Sequence, residues 1–147
     1  MDASMNGPAR AGWLYWVIAV VGLLWNAFGC VDYIMTQTRN PAYLAAVPAE
    51  QLAFVDSFPL WVHGAWAVGV WFSLLGSVLM LLRSRWAVPA FALSLIGLAA
   101  STLYQAVVGM PASMTTPPML AVQATIWVVL IFLIWYMRRC RQQGILR

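Results

Sequence analysis

Five amide, carboxylate or imidazole side chains interrupt the apolar stretches of this chain: Asn26, Asp32, His63, Gln105 and Gln123. Amides donate and accept hydrogen bonds, a carboxylate accepts them or pairs with a cation, and an imidazole does either or binds a metal. Three tryptophans, Trp25, Trp66 and Trp127, stand close to them in the same stretches. Amides and a carboxylate beside indole faces suit a neutral polyhydroxylated ligand, hydrogen-bonded along its edge and packed on its apolar face. The chemistry in view is binding. No Ser-His-Asp or Cys-His set occurs at matching depth and no phosphate-cradling glycine loop is present, so no enzyme activity is expected.

The elements that position these residues follow from composition. Of 147 residues, 63% are apolar, 8% are charged and none is lysine, whereas about a quarter of a soluble domain is charged. Trp13 to Met35, Pro59 to Leu82, Trp86 to Gly109 and Met119 to Met137 are apolar stretches. Each can cross a hydrocarbon core of about 30 Å, which takes roughly 20 helical residues. Open strands would leave backbone groups unsatisfied in lipid, and the stretches do not alternate apolar with polar. The expected fold is an all-α integral membrane protein, one membrane domain over residues 1–147, with four transmembrane helices in an up-down-up-down bundle.

The net charge of +4 is a membrane signature here, and no nucleic-acid partner is expected. Arg10, Arg83, Arg85, Arg138, Arg139, Arg141 and Arg147 fall on one side of a four-span topology, and only Arg39 on the other. The positive-inside rule then puts both termini in the cytoplasm and loops 36–58 and 110–118 outside. Cys30 and Cys140 fall on opposite sides and are not expected to pair. Residues 1–12 read as a disordered lead-in, followed by an uncleaved first helix. Ala27 to Cys30 only faintly resembles a lipoprotein cleavage box.

Rising about 1.5 Å per residue from the aromatic belt at Trp13, Tyr15 and Trp16, Asn26 falls just past the midplane and Asp32 near the outer interface. His63, Gln105 and Gln123 fall in the same outer half. Polar groups facing hydrocarbon are costly, so these are expected to face the bundle or an outward cavity. Two readings stay open. The residues form a ligand or ion site, or they hold helices together at about 0.6–2 kcal/mol each, with Asp32 paired to His63 or Arg39. Singly, each is more simply read as helix packing, and their convergence is what favours a site.

Ala65, Gly69, Ser73 and Ser77 recur every four residues and predict a close helix approach, as do Ser94, Gly97 and Ser101. A homo-oligomer is expected through one of these faces. In loop 36–58, Asn40 is predicted to cap a turn begun by Pro41, and Pro48 to open a second helical segment. The fourth helix is expected to stop at the arginine cluster after Met137. Met35, Met110, Met114 and Met119 with His63 offer soft ligands for Cu(I), but their spacing is irregular, and no metal or cofactor is expected. Asp32 lies too shallow for proton coupling, unlike the buried Glu in the first helix of small multidrug resistance transporters.

The runs WNAFGCVDYIMTQTRNPAYL, EQLAFVDSFPLWVHGAWAVGVW and GSVLMLLRSRWAVPAFALSLIG resemble a family of small bacterial four-helix inner-membrane proteins. Most of these are functionally uncharacterised, and some are labelled "sugar transporter". The resemblance covers about residues 20–105 and implies a multi-pass protein of the bacterial inner membrane. It implies no site residues, and at position 63 such proteins often carry an apolar residue. The first reading is therefore a small-solute, sugar-like transporter or its accessory subunit, acting as an oligomer. Its candidate ligand-binding residues are Trp25, Asn26, Asp32, His63, Trp66, Gln105 and Gln123. The alternative is a non-catalytic scaffold that binds a partner through loop 36–58, and the third a membrane redox protein holding quinone or haem.

Overall fold

The computed structural model describes residues 9–147. In chain order these form α1 (Trp13–Gln37), the short helices α2 (Pro41–Leu44) and α3 (Ala49–Asp56), then α4 (Leu60–Leu81), α5 (Ala87–Val108), a 3-10 turn (Ala112–Met114) and α6 (Pro117–Gln142). α1, α4, α5 and α6 are long and apolar enough to cross a membrane, and neighbours run antiparallel. The fold is an all-α four-helix membrane bundle. Residues 1–8 of the expected lead-in lie outside the described residues, and residues 9–12 have no regular secondary structure.

The tightest contact is between α4 and α5, and glycine makes it. A Cβ at Gly97 would stand 2.5 Å from the Ala65 carbonyl oxygen and 2.6 Å from the Gly69 nitrogen, so the two backbones touch where both helices lack side chains. Ser94 Oγ donates to the Gly69 carbonyl at 2.6 Å across the same seam. In lipid no hydrophobic gain comes from pressing helices together, and close van der Waals contact with interhelical hydrogen bonds takes its place. The small-residue stripe of α4 is thus occupied within the chain, by α5.

α1 is attached to α4 by a ladder of polar contacts. Tyr15 Oη donates to the Met80 carbonyl at 2.5 Å, Asn26 Nδ2 to Ser77 Oγ at 2.8 Å, and Cys30 Sγ to the Val70 carbonyl at 3.2 Å. Gln37 Nε2 meets His63 Nδ1 at 3.1 Å. α6 lies against α5 and reaches α1 where Leu133 packs over Gly22. The core sits at the arginine-rich end: Tyr15, Ala19, Met80, Phe91, Leu133, Met137 and Cys140 are buried together. Toward the opposite, loop-bearing end, residues 117–129 of α6 include none that is buried. The bundle is closed at one end and hollow at the other.

α1, α4 and α6 end in the same left-handed turn. Arg39 (φ 56°), Arg83 (φ 54°) and Gly144 (φ 72°) adopt positive φ. The next amide donates five residues back, Asn40 to Met35, Ser84 to Leu79 and Ile145 to Cys140, which satisfies the last carbonyls. The fourth transmembrane helix therefore does not stop at the arginine cluster. It runs through Arg138, Arg139 and Arg141 to Gln142, because charge marks the membrane boundary while a left-handed glycine ends the helix. At this end Arg83 donates from Nε to the Ile145 carbonyl and from Nη2 to the Ala9 carbonyl, each at 3.0 Å, stapling both ends of the described chain to the α4–α5 turn.

Candidate functional site

The hollow half holds a cavity of about 460 Å³ walled by α1, α4, α5 and α6, with Gln51 of α3 at its edge. That size falls in the range of small-molecule sites. Leu130, buried at 6% exposure, is shared with the packed core and forms the floor. Phe28, Val70, Leu98, Val122 and Ile126 make the wall mostly apolar. Four of the seven candidate residues meet there: Trp25, Asn26, Asp32 and Trp66. Tyr33 packs edge-on against Trp66, centroids 5.0 Å apart, and fixes its ring.

The polar lining has a consistent sense. Asn26 Nδ2 is engaged by Ser77, Ser94 Oγ donates to Gly69, Ser73 Oγ donates to the Val70 carbonyl at 2.8 Å, and Ser101 Oγ to the Leu98 carbonyl at 3.1 Å. The three hydroxyl donors and one of the two Asn26 N–H groups are therefore used within the protein. What these lining residues leave unused is mainly acceptor capacity, the Asn26 carbonyl and the lone pairs of three hydroxyls, together with one Asn26 N–H. Asp32 adds a carboxylate, of which Oδ1 takes the Tyr43 hydroxyl at 2.6 Å and Oδ2 remains. A ligand presenting several O–H or N–H donors along one edge matches this wall.

Three candidates lie elsewhere. His63 binds Gln37 and packs on Phe58, with ring centroids 5.7 Å apart, so it belongs to the α1–α4 contact. Gln105 is one turn beyond Ser101, past the cavity wall. Gln123 follows Val122, which lines the cavity, by one residue, a rotation of about 100°. The expected pairing of Asp32 with His63 or Arg39 is replaced by Asp32–Tyr43, His63–Gln37 and an Arg39–Asp56 ion pair. Residues not singled out for the site are Gln51, Ser73, Ser94 and Ser101. The serines announce themselves by helical spacing, while Gln51 arrives only through the folding of the loop.

That loop is an ordered cap. Asn40 Oδ1 accepts from the Tyr43 amide at 3.0 Å, the capping arrangement predicted for Asn40 and Pro41. Arg39 and Asp56 join its two ends, and Phe58, buried at 9%, wedges against Tyr104 of α5. The Asp32 carboxylate accepting its proton, aided by burial, pushes Tyr43 up to about 12. Its pKa is raised on folding, so this tether is complete below about pH 10 and is lost as pH rises through about 12. Tyr43→Phe removes the tether at neutral pH. Amide exchange over residues 41–56 should then quicken about five-fold, as for one partly exposed hydrogen bond of ~1 kcal/mol. Unchanged exchange would mean that the ion pair and Phe58 hold the cap alone.

Among the described residues, no three His, Cys, Asp or Glu side chains converge as a metal site would require. No protein-family model, curated protein or solved structure matches the chain. The cavity's own chemistry is therefore the basis for a functional reading.

Proposed function

We propose that this protein binds a small solute with several hydroxyl donors and an apolar face, a sugar or polyol, as a transporter or as the solute-receiving subunit of one. The observation that carries the reading is the set of acceptors at Asn26, Asp32, Ser73, Ser94 and Ser101, with the three hydroxyl donors already engaged, in one cavity with the indoles of Trp25 and Trp66. A pyranose offers hydroxyls at its rim and C–H groups on its face, which is the complement of that wall.

On this reading, which the arginine bias supports, the arginine-rich end is the cytoplasmic one and the cavity receives solute from outside. Beneath it the packed core from Tyr15 to Met137 closes the bundle. Passage then requires the core to open or a second copy to complete the path. A second reading, an organic cation held by Asp32 and the tryptophan faces, is favoured by the free Asp32 oxygen.

Uptake of labelled hexoses, polyols and quaternary amines into proteoliposomes tests both. Asn26→Leu should lower uptake of the accepted solute about ten-fold or more, as for one lost hydrogen bond. Folding should survive the change, since Ser77 Oγ keeps its bond to the Ser73 carbonyl. Uptake of amines but not hexoses would select the second reading. Equal uptake by wild type and Asn26→Leu would remove the cavity from the function.

A further inference from the structure

At the other end of the molecule a second concavity, an open groove of about 580 Å³, runs along α6 beside α5. Its deep part is apolar, made by Leu95, Ile131 and Ile134, and its rim is formed by Arg138, Arg139, Gln142 and Gln143. Trp135 stands between the two parts, with the Arg139 guanidinium 5.7 Å from its ring centroid. From Ile131 to Arg139 the groove rises about 12 Å along the helix, from the hydrocarbon to the headgroup layer.

Among the described residues the one ion pair is Arg39–Asp56 at the opposite end, and the side-chain carboxylates of Asp32, Glu50 and Asp56 all belong to that end. Two cations and two amides above an apolar trough, open sideways to the bilayer, match a lipid with an anionic headgroup. We infer that the α5–α6 groove is a binding site for an anionic glycerophospholipid, its phosphate held by Arg138 and Arg139 and its upper acyl chain laid on Leu95, Ile131 and Ile134. The site is separate from the solute cavity and acts on the helix least tightly packed into the bundle.

Native mass spectrometry of the purified protein with phosphatidylglycerol, phosphatidylcholine of the same chains, and glycerol phosphate tests the site. Phosphatidylglycerol should be retained in preference to phosphatidylcholine. Arg138→Gln with Arg139→Gln should weaken it about thirty-fold, at roughly five-fold per arginine near an anionic lipid. Arg85→Gln with Arg141→Gln removes the same charge at the same end but outside the groove, and should change binding by less than about three-fold. Ile131→Trp, which fills the trough and leaves the charge alone, should also displace the lipid. Equal losses in the two double variants would reduce the effect to general surface charge and overturn the inference. So would equal retention of phosphatidylcholine, or glycerol phosphate binding as tightly as the lipid.

Discussion

Gly97→Ala is expected to lower the stability of the bundle by about 3 kcal/mol, the upper range for overpacking, or roughly 10 °C in apparent melting temperature in detergent. The added methyl would lie 2.5 Å from the Ala65 carbonyl oxygen and 2.6 Å from the Gly69 nitrogen. Both are backbone atoms in helices and cannot turn aside as a side chain does. The helices must separate, which loosens the Ser94–Gly69 hydrogen bond and the dispersion contacts that stand in for a hydrophobic drive in lipid. Gly69→Ala, on the other side of the same seam, makes the contrast. Its methyl would meet Leu98 N at 3.5 Å and Gly97 C at 3.8 Å, ordinary contact distances. That variant should stay within about 0.5 kcal/mol of wild type, helped by alanine's better helix propensity. Thermal unfolding of the two variants side by side checks the packing, and similar losses would mean that α4 and α5 do not meet as described.

Gly29→Trp is the second large effect, and it separates function from fold. Gly29 lines the cavity, and a Cβ there would find only Val70 Cγ1, at 3.9 Å. The Cβ is accommodated, and the cavity of about 460 Å³ offers the indole its space. Replacing a mid-helix glycine also favours the helix by a few tenths to about 1 kcal/mol. The unliganded protein should melt no lower than wild type, while solute affinity falls about 100-fold or more, equivalent to about 3 kcal/mol of steric conflict.

The four spans were legible because their length and apolarity are set by the bilayer, and the close helix contact because Gly69 and Gly97 fall at helical spacing. The identity of the partner helix was not legible, since a small-residue stripe serves a neighbour in the same chain as well as one in another copy. The cap shows the same limit. Asn40 and Pro41 announce their turn by chemistry. Asp32 meets Tyr43 only because the chain reverses at Arg39 in a left-handed conformation that arginine, unlike glycine, does not advertise. The positions of Gln105 and Gln123 along their helices could be counted, whereas how far the cavity reaches along α5, and the rotation that leaves Gln123 off it, depend on how α5 and α6 pack. The helix end at Gly144 carried a local signal, but one masked by reading the arginines as a stop.

The central claim is that the loop-side cavity is a solute site, and ligand-induced thermal stabilisation of wild type and Gly29→Trp against hexoses, polyols and quaternary amines tests it most directly. A bound ligand raises the melting temperature by mass action, by about 2.7 kcal/mol of stability at one hundred times its dissociation constant. The account predicts a rise for one hydroxyl-rich class in wild type and none in Gly29→Trp, with the two unliganded proteins melting alike. The same rise in both proteins would place binding outside this cavity and contradict it.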